Sequence, residues 1–130
     1  MNETIRFMIV DDDPTNNLIC KITINRTIPD CAVSLFTDPR QALDHIMNYP
    51  PEPGIKTILF LDINMPQMTG WEFLEQFSEI PEANRKPYEV YMVSSSVDQR
   101  DQMRAQANEH INGYISKPVK ADFLRENFLV

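Results

Sequence analysis

Six residues of this 130-residue chain stand where chemistry is easiest to build: Asp11, Asp12, Asp13, Asp62, Ser94 and Lys117. The acids each follow an uninterrupted apolar run, Phe7-Met8-Ile9-Val10 before the three aspartates and Ile58-Leu59-Phe60-Leu61 before Asp62. Ser94 follows Val90-Tyr91-Met92-Val93, and Lys117 follows Gly113-Tyr114-Ile115-Ser116. Carboxylates gathered at one mouth repel one another, and their mutual charge raises their pKa values unless a cation is present. A hard divalent ion such as Mg²⁺, with Mn²⁺ as an alternative, takes oxygen ligands and leaves room for water and phosphate oxygens. Ser94 and Lys117 supply a hydroxyl and an ammonium that donate to an anion, as phosphoryl transfer requires. The central nucleophile is then a carboxylate, and carboxylates form aspartyl phosphates.

The elements that would bring these groups together are legible as alternating strands and helices. Pro14 after the acids suits the first turn of a helix, with Leu18, Ile19 and Ile22 at helical spacing toward Ile28 and a stop at Pro29. Asp13 reads as the cap of that helix. Ala32-Val33-Ser34-Leu35-Phe36 reads as a strand, Asp38 as a cap, and Leu43, Ile46 and Met47 as the inner face of the next helix. The proline-dense stretch 48–54 is a loop. The third strand, ending on Asp62, has the length of one buried on both faces of a parallel sheet. Trp71, Phe73, Leu74, Phe77 and Ile80 mark a third helix, and Tyr88 to Val93 a fourth strand. The segment Asp98 to Glu109 has a poor apolar face, Met103 with Ala105 and Ala107, so its docking should be weak and the helix mobile. A short strand over Gly113 to Ser116 and a helix with Phe123, Leu124 and Phe128 inward complete the chain.

Five strands alternating with five helices predict an α/β, flavodoxin-like, doubly wound parallel sheet of order 2-1-3-4-5. Strands 1 and 3 would then flank the topological switch point, where such sheets bind ligands, and Asp11, Asp12 and Asp62 would converge.

Composition narrows the function classes. A formal net charge of -7, with 12 basic residues scattered among 19 acidic ones, argues against a nucleic-acid surface. No apolar run approaches transmembrane length and Met1 to Met8 has no secretory pattern, so the expected compartment is the cytoplasm, without membrane association. Cys20 and Cys31 form no ligand set and read as reduced structural thiols. His45 and His110 lack a partner pattern and read as surface residues.

Taken together, Val10-Asp11-Asp12-Asp13-Pro14, Leu61-Asp62-Ile63-Asn64-Met65-Pro66 with Met68 and Gly70, Ser94, and Lys117-Pro118 give the chain an end-to-end resemblance to a response-regulator receiver domain of two-component signalling, of the single-domain, chemotaxis-regulator-like kind. The resemblance implies that Asp62 is the phosphoacceptor, that Asp11 and Asp12 hold Mg²⁺ with Asp62, and that the backbone carbonyl of Asn64 is a further metal ligand. Lys117 would contact the phosphoryl group, Ser94 would bond to it once present, and Tyr114 would be the switch aromatic. Asn64 and Ser96 fall at the positions that tune dephosphorylation. Ser94 stands where threonine is often seen, and Ser95 where alanine or glycine is usual.

The expected function is a phosphorylation-dependent binding switch rather than an enzyme. It would be charged by a histidine kinase or histidine phosphotransfer protein and would act on a downstream protein in trans, as a monomer or a phosphorylation-dependent dimer. Residues 1–130 are expected to form one receiver domain with no attached output domain. Phosphorylation would draw Ser94 and Tyr114 inward and repack the face formed by the last two helices and the strand between them. Two alternatives stand beside this. A haloacid-dehalogenase-like phosphatase also uses a strand-end aspartate with Mg²⁺, but commonly carries an acid two residues later, where Asn64 cannot protonate a leaving group. A binding module that is never phosphorylated would not need every expected site residue.

Overall fold

A computed structural model describes residues 4–49, 52–95 and 98–129. The strands are β1 (Thr4–Val10), β2 (Val33–Phe36), β3 (Ile55–Asp62), β4 (Tyr88–Ser94) and β5 (Ile111–Ser116). They form one parallel sheet in the order β2-β1-β3-β4-β5, as the alternation predicts. The helices are α1 (Pro14–Thr27), α2 (Pro39–Asn48), α3 (Gly70–Glu79), α4 (Glu82–Arg85), α5 (Gln99–Ala107) and α6 (Ala121–Phe128).

The sixth helix, α4, is a single turn in the polar stretch that the sequence pattern leaves as loop. It carries its own tertiary bonds. Asn84 Nδ2 donates to the carbonyls of Ile46 and Met47, each at 3.1 Å, and so satisfies orphan acceptors at the end of α2. Arg85 Nε donates to the carbonyl of Ile80 at 2.9 Å, closing the end of α3.

Helix starts follow local capping chemistry. Asp13 accepts from Thr15 N–H and Asp38 from Arg40 N–H, both at 2.9 Å, each just ahead of a proline at the first helical position. Thr69 and Glu72 form a reciprocal capping box at the start of α3 (3.1 and 3.0 Å).

Alternate residues of the central strands feed two apolar layers. Met8, Val10, Leu59, Leu61, Val90 and Met92 meet α2 and α3, where Phe73, Leu74 and Phe77 are buried. Phe7, Ile9, Ile58, Phe60 and Val93 meet α1 and α6 on the other face. There the Phe7 ring stacks on Phe60 at 5.7 Å and meets Phe128 edge-on at 5.5 Å.

Several side chains depart from the sequence reading. Leu18, Ile19 and Ile22 are exposed on α1, and the inward stripe is Asn17, Cys20, Ile24 and Ile28. Helical spacing alone did not choose the face; the position of Asn17 against the first strand end did. Met47 is exposed because the inner face of α2 is completed by Pro39 and Ala42. On α5 only Ala105 is buried and Met103 is 64% exposed. The helix docks instead by laying the Arg104 guanidinium over the Trp71 ring of α3 at 4.3 Å. Neither histidine is a free surface residue. His45 lies between the rings of Phe36 and Tyr49, and His110 packs edge-on to Phe77.

β5 begins two residues earlier than its apolar pattern suggests. A bulge interrupts its pairing with β4, so that Val90 faces Ile111 but Tyr91 faces Gly113. Asn112 is the extra residue, and its Oδ1 accepts from Val90 N–H at 3.1 Å.

Candidate functional site

The acids converge at the carboxyl edge of the sheet because β1 and β3 are neighbours in register, Val10 beside Leu61, so each strand ends on its acid at the same level. Ligand oxygens of Asp11, Asp12 and Asp62 lie within 4.8 Å of one another. Asp11 and Asp62 are both buried, 5% exposed, whereas Asp12 is half-buried. Lys117 reaches across from the end of β5, its Nζ 2.8 Å from Asp11 Oδ2 and 3.2 Å from Asp62 Oδ1. Lys117 precedes a cis Pro118, and its backbone N–H donates to the carbonyl of Ser94 at 2.8 Å, tying the last two strand ends together.

The loop after β3 is held at close range. Gly70 N–H donates to the carbonyl of Ile63 at 2.8 Å. A Cβ on Gly70 would stand 2.8 Å from the Asp62 carbonyl oxygen, so the first turn of α3 can approach the acid only without a side chain there.

Electrostatics follow from this crowding. Burial pushes the Asp62 carboxyl up to about 6, and the Asp11 charge adds to the rise. Lys117 and a hydrogen bond from the Asn64 backbone N–H pull the other way. Burial alone would lower the Lys117 ammonium, but the hydrogen bond to Asp11 and the charges of Asp62 and Asp11 outweigh it and hold it above the usual lysine range. One ammonium among three carboxylates leaves a local excess of negative charge. An all-oxygen donor set with that excess fits a hard divalent cation.

Ser94 is fully buried at the end of β4, one strand from Asp62. Tyr114 is half-buried against the α2–α3 layer, paired in register with Met92. Asn64 is exposed two residues after Asp62, and Ser96 lies outside the described residues. Asp13 is exposed and spent on capping α1. The expected acids and Lys117 are thus brought together. The sequence reading passed over Asn17, which is buried beside the Asp11 turn; its signal was a carboxamide in the inward phase of an apolar helix.

The doubly wound parallel sheet has flavodoxin-like topology, with the acids at its β1/β3 switch point, where such sheets bind ligands. Residues 7–128 match the family model described as the response regulator receiver domain, and the chain belongs to that family. It is similar to a response regulator receiver protein from Dyadobacter fermentans, with 29% identity, a TM-score of 0.81, and 94% of this chain and 96% of that one covered. It is also similar to a two-component response regulator from Cytophaga hutchinsonii, with 27% identity, a TM-score of 0.84 and coverage of 96% and 94%. Among curated proteins it is 32% identical over 105 residues to a protein-glutamate methylesterase/protein-glutamine glutaminase of Enterobacter cloacae. That match takes in 81% of this chain but 27% of the relative's length, so it says nothing of esterase chemistry here. Among the described residues, no helix is long and apolar enough to cross a membrane.

Proposed function

We propose that this chain is a phosphorylation-switched signalling domain in which Asp62 accepts a phosphoryl group from a histidine kinase or histidine phosphotransfer protein. The observation that carries this reading is the position of the Lys117 ammonium, within 2.8 Å of Asp11 and 3.2 Å of Asp62 at a strand edge shared by three carboxylates. An Asp62 carboxylate oxygen attacks phosphorus as the phosphorus–nitrogen bond of the donor phosphoimidazole breaks. The donor ring leaves with the electron pair and takes up a proton. Lys117, already paired with the nucleophile, is placed to balance charge on the phosphoryl oxygens. Asp11, Asp12, Asp62 and the Asn64 carbonyl would hold Mg²⁺ or Mn²⁺, which when bound neutralises the site and the transferred group.

The output is binding. Ser94 and Tyr114 lie on adjacent strands leading to the site. Movement of the Ser94 hydroxyl toward a new phosphoryl group would let Tyr114 follow and would shift the population of α5, β5 and α6 arrangements. α5 suits that role, because among its described residues only Ala105 is buried. Asn64 offers a carboxamide where a phosphatase needs an acid, so turnover of phosphoesters finds no proton donor at that position.

Incubation with phosphoramidate and Mg²⁺, read by intact mass, should add one phosphoryl group to the protein and none to Asp62→Asn. A purified histidine kinase of the same source should transfer label with the same dependence. Equal uptake by the variant, or none by the parent, overturns the assignment.

A further inference from the structure

Asn17 is 1% exposed, in the inward stripe of α1 that otherwise carries Cys20, Ile24 and Ile28. Its Nδ2 donates to the backbone carbonyl of Asp11 at 3.0 Å and to that of Phe36, the end of β2, at 3.4 Å. The Asp11 N–H donates to the same Phe36 carbonyl at 3.1 Å. The Asp11 carbonyl belongs to the peptide that joins Asp11 to Asp12, so fixing that planar unit restrains ψ of Asp11 and φ of Asp12, the backbone hinge between the two carboxylates. The other half of the carboxamide gains nothing: Asn17 Oδ1 is buried without a hydrogen-bond partner among the described residues. An orphaned buried acceptor is a cost that an apolar side chain would avoid, so the carboxamide is a poor device for stability and a good one for holding a turn.

We propose that Asn17 is a positioning residue for the divalent-cation site, clamping the Asp11–Asp12 peptide to the end of β2 so that both carboxylates face Asp62. The inference rests on the metal assignment made above. It adds a residue that touches neither metal nor phosphoryl group and acts through the backbone. Groups that orient metal ligands in this way typically matter by about 10- to 100-fold in metal affinity.

The test is a Mg²⁺ titration, followed by calorimetry and by Trp71 fluorescence, on the parent, Asn17→Leu, Asn17→Ala and Ile24→Ala. Each protein is first checked for folding by circular dichroism and for its urea midpoint in chelator. Both Asn17 variants should bind Mg²⁺ about tenfold more weakly, with the urea midpoint of Asn17→Leu close to that of the parent. Ile24→Ala, on the same face of the same helix, should lower the midpoint and leave Mg²⁺ affinity within about twofold. Parent-like Mg²⁺ affinity in either folded Asn17 variant overturns the proposal. So does an equal loss of affinity in Ile24→Ala, since affinity would then track packing. A parent that binds no Mg²⁺ overturns the metal assignment as well, which separates the two failures.

Discussion

Replacing Asp62 with Asn should stabilise the metal-free protein at neutral pH even as it removes the proposed phosphoacceptor. Asp62 is 5% exposed, and its carboxyl rises from 3.8 to about 6, first through burial and then through the Asp11 charge. Below about pH 3 the group is protonated in folded and unfolded chains alike and contributes nothing. Between about pH 3 and pH 7 the unfolded chain releases a proton that the folded chain keeps, so stability is lost as pH rises; above about pH 7 the cost is constant. A gap of about two pH units sets a ceiling of about 3 kcal/mol at 1.36 kcal/mol each. Access of solvent at the mouth of the site reduces this to about 1–2 kcal/mol. Asn keeps the volume, and its amide oxygen can still accept from Lys117. Urea unfolding in chelator should therefore show the variant more stable by that amount at about pH 7.5 and equal to the parent at about pH 3. Mg²⁺ should reverse the order by stabilising the parent, by about 2.7 kcal/mol at a hundredfold excess over its dissociation constant. A variant less stable than the parent at neutral pH in chelator, or a gain that persists in acid, refutes the reasoning.

Two further outcomes are expected. Gly70→Ala should cost about 1–3 kcal/mol and slow uptake from phosphoramidate, because its Cβ would press on the Asp62 carbonyl, Met92 and Ile63; parent-like stability and rate would contradict the close approach. The Cys20 thiol is pushed up to about 12 by burial and then by the Asp11 charge, so iodoacetamide at about pH 8 should leave it unmodified in the native protein and label it after denaturation. Fast native labelling would show that the thiol is not held in that environment.

The acids and the lysine were readable from the chain because each follows an apolar run, and in a parallel sheet the end of such a run is also the end of a strand. Their convergence needed only strand order, which alternation with right-handed crossovers restricts to few choices. The faces of helices were harder. On α1 the apolar residues Leu18, Ile19 and Ile22 sit outward because the inward phase is taken by Asn17, whose partners are backbone carbonyls that no side-chain pattern displays. α5 gave the opposite difficulty: its attachment includes a cation over an aromatic ring, Arg104 on Trp71, which hydropathy counts as a polar residue and nothing more. The single turn of α4 is held by Asn84 and Arg85 reaching to other helices, and four residues are too few for periodicity to register.

The bulge in β5 sets which face its residues present. Strand side chains alternate, so Ile111 and Tyr114, three positions apart, would face opposite ways in a regular strand. Asn112 absorbs one position, and both now face the α2–α3 layer while Ile115 turns to the α1–α6 layer. Deleting Asn112 would leave Ile111 and Tyr114 two positions apart and on the same face, whereas drawing Asn112 into a regular ladder would turn Ile115 to the α2–α3 layer and the phenol to the α1–α6 layer. In the proposed switch, the phase of this one strand decides on which side of the sheet the tyrosine stands.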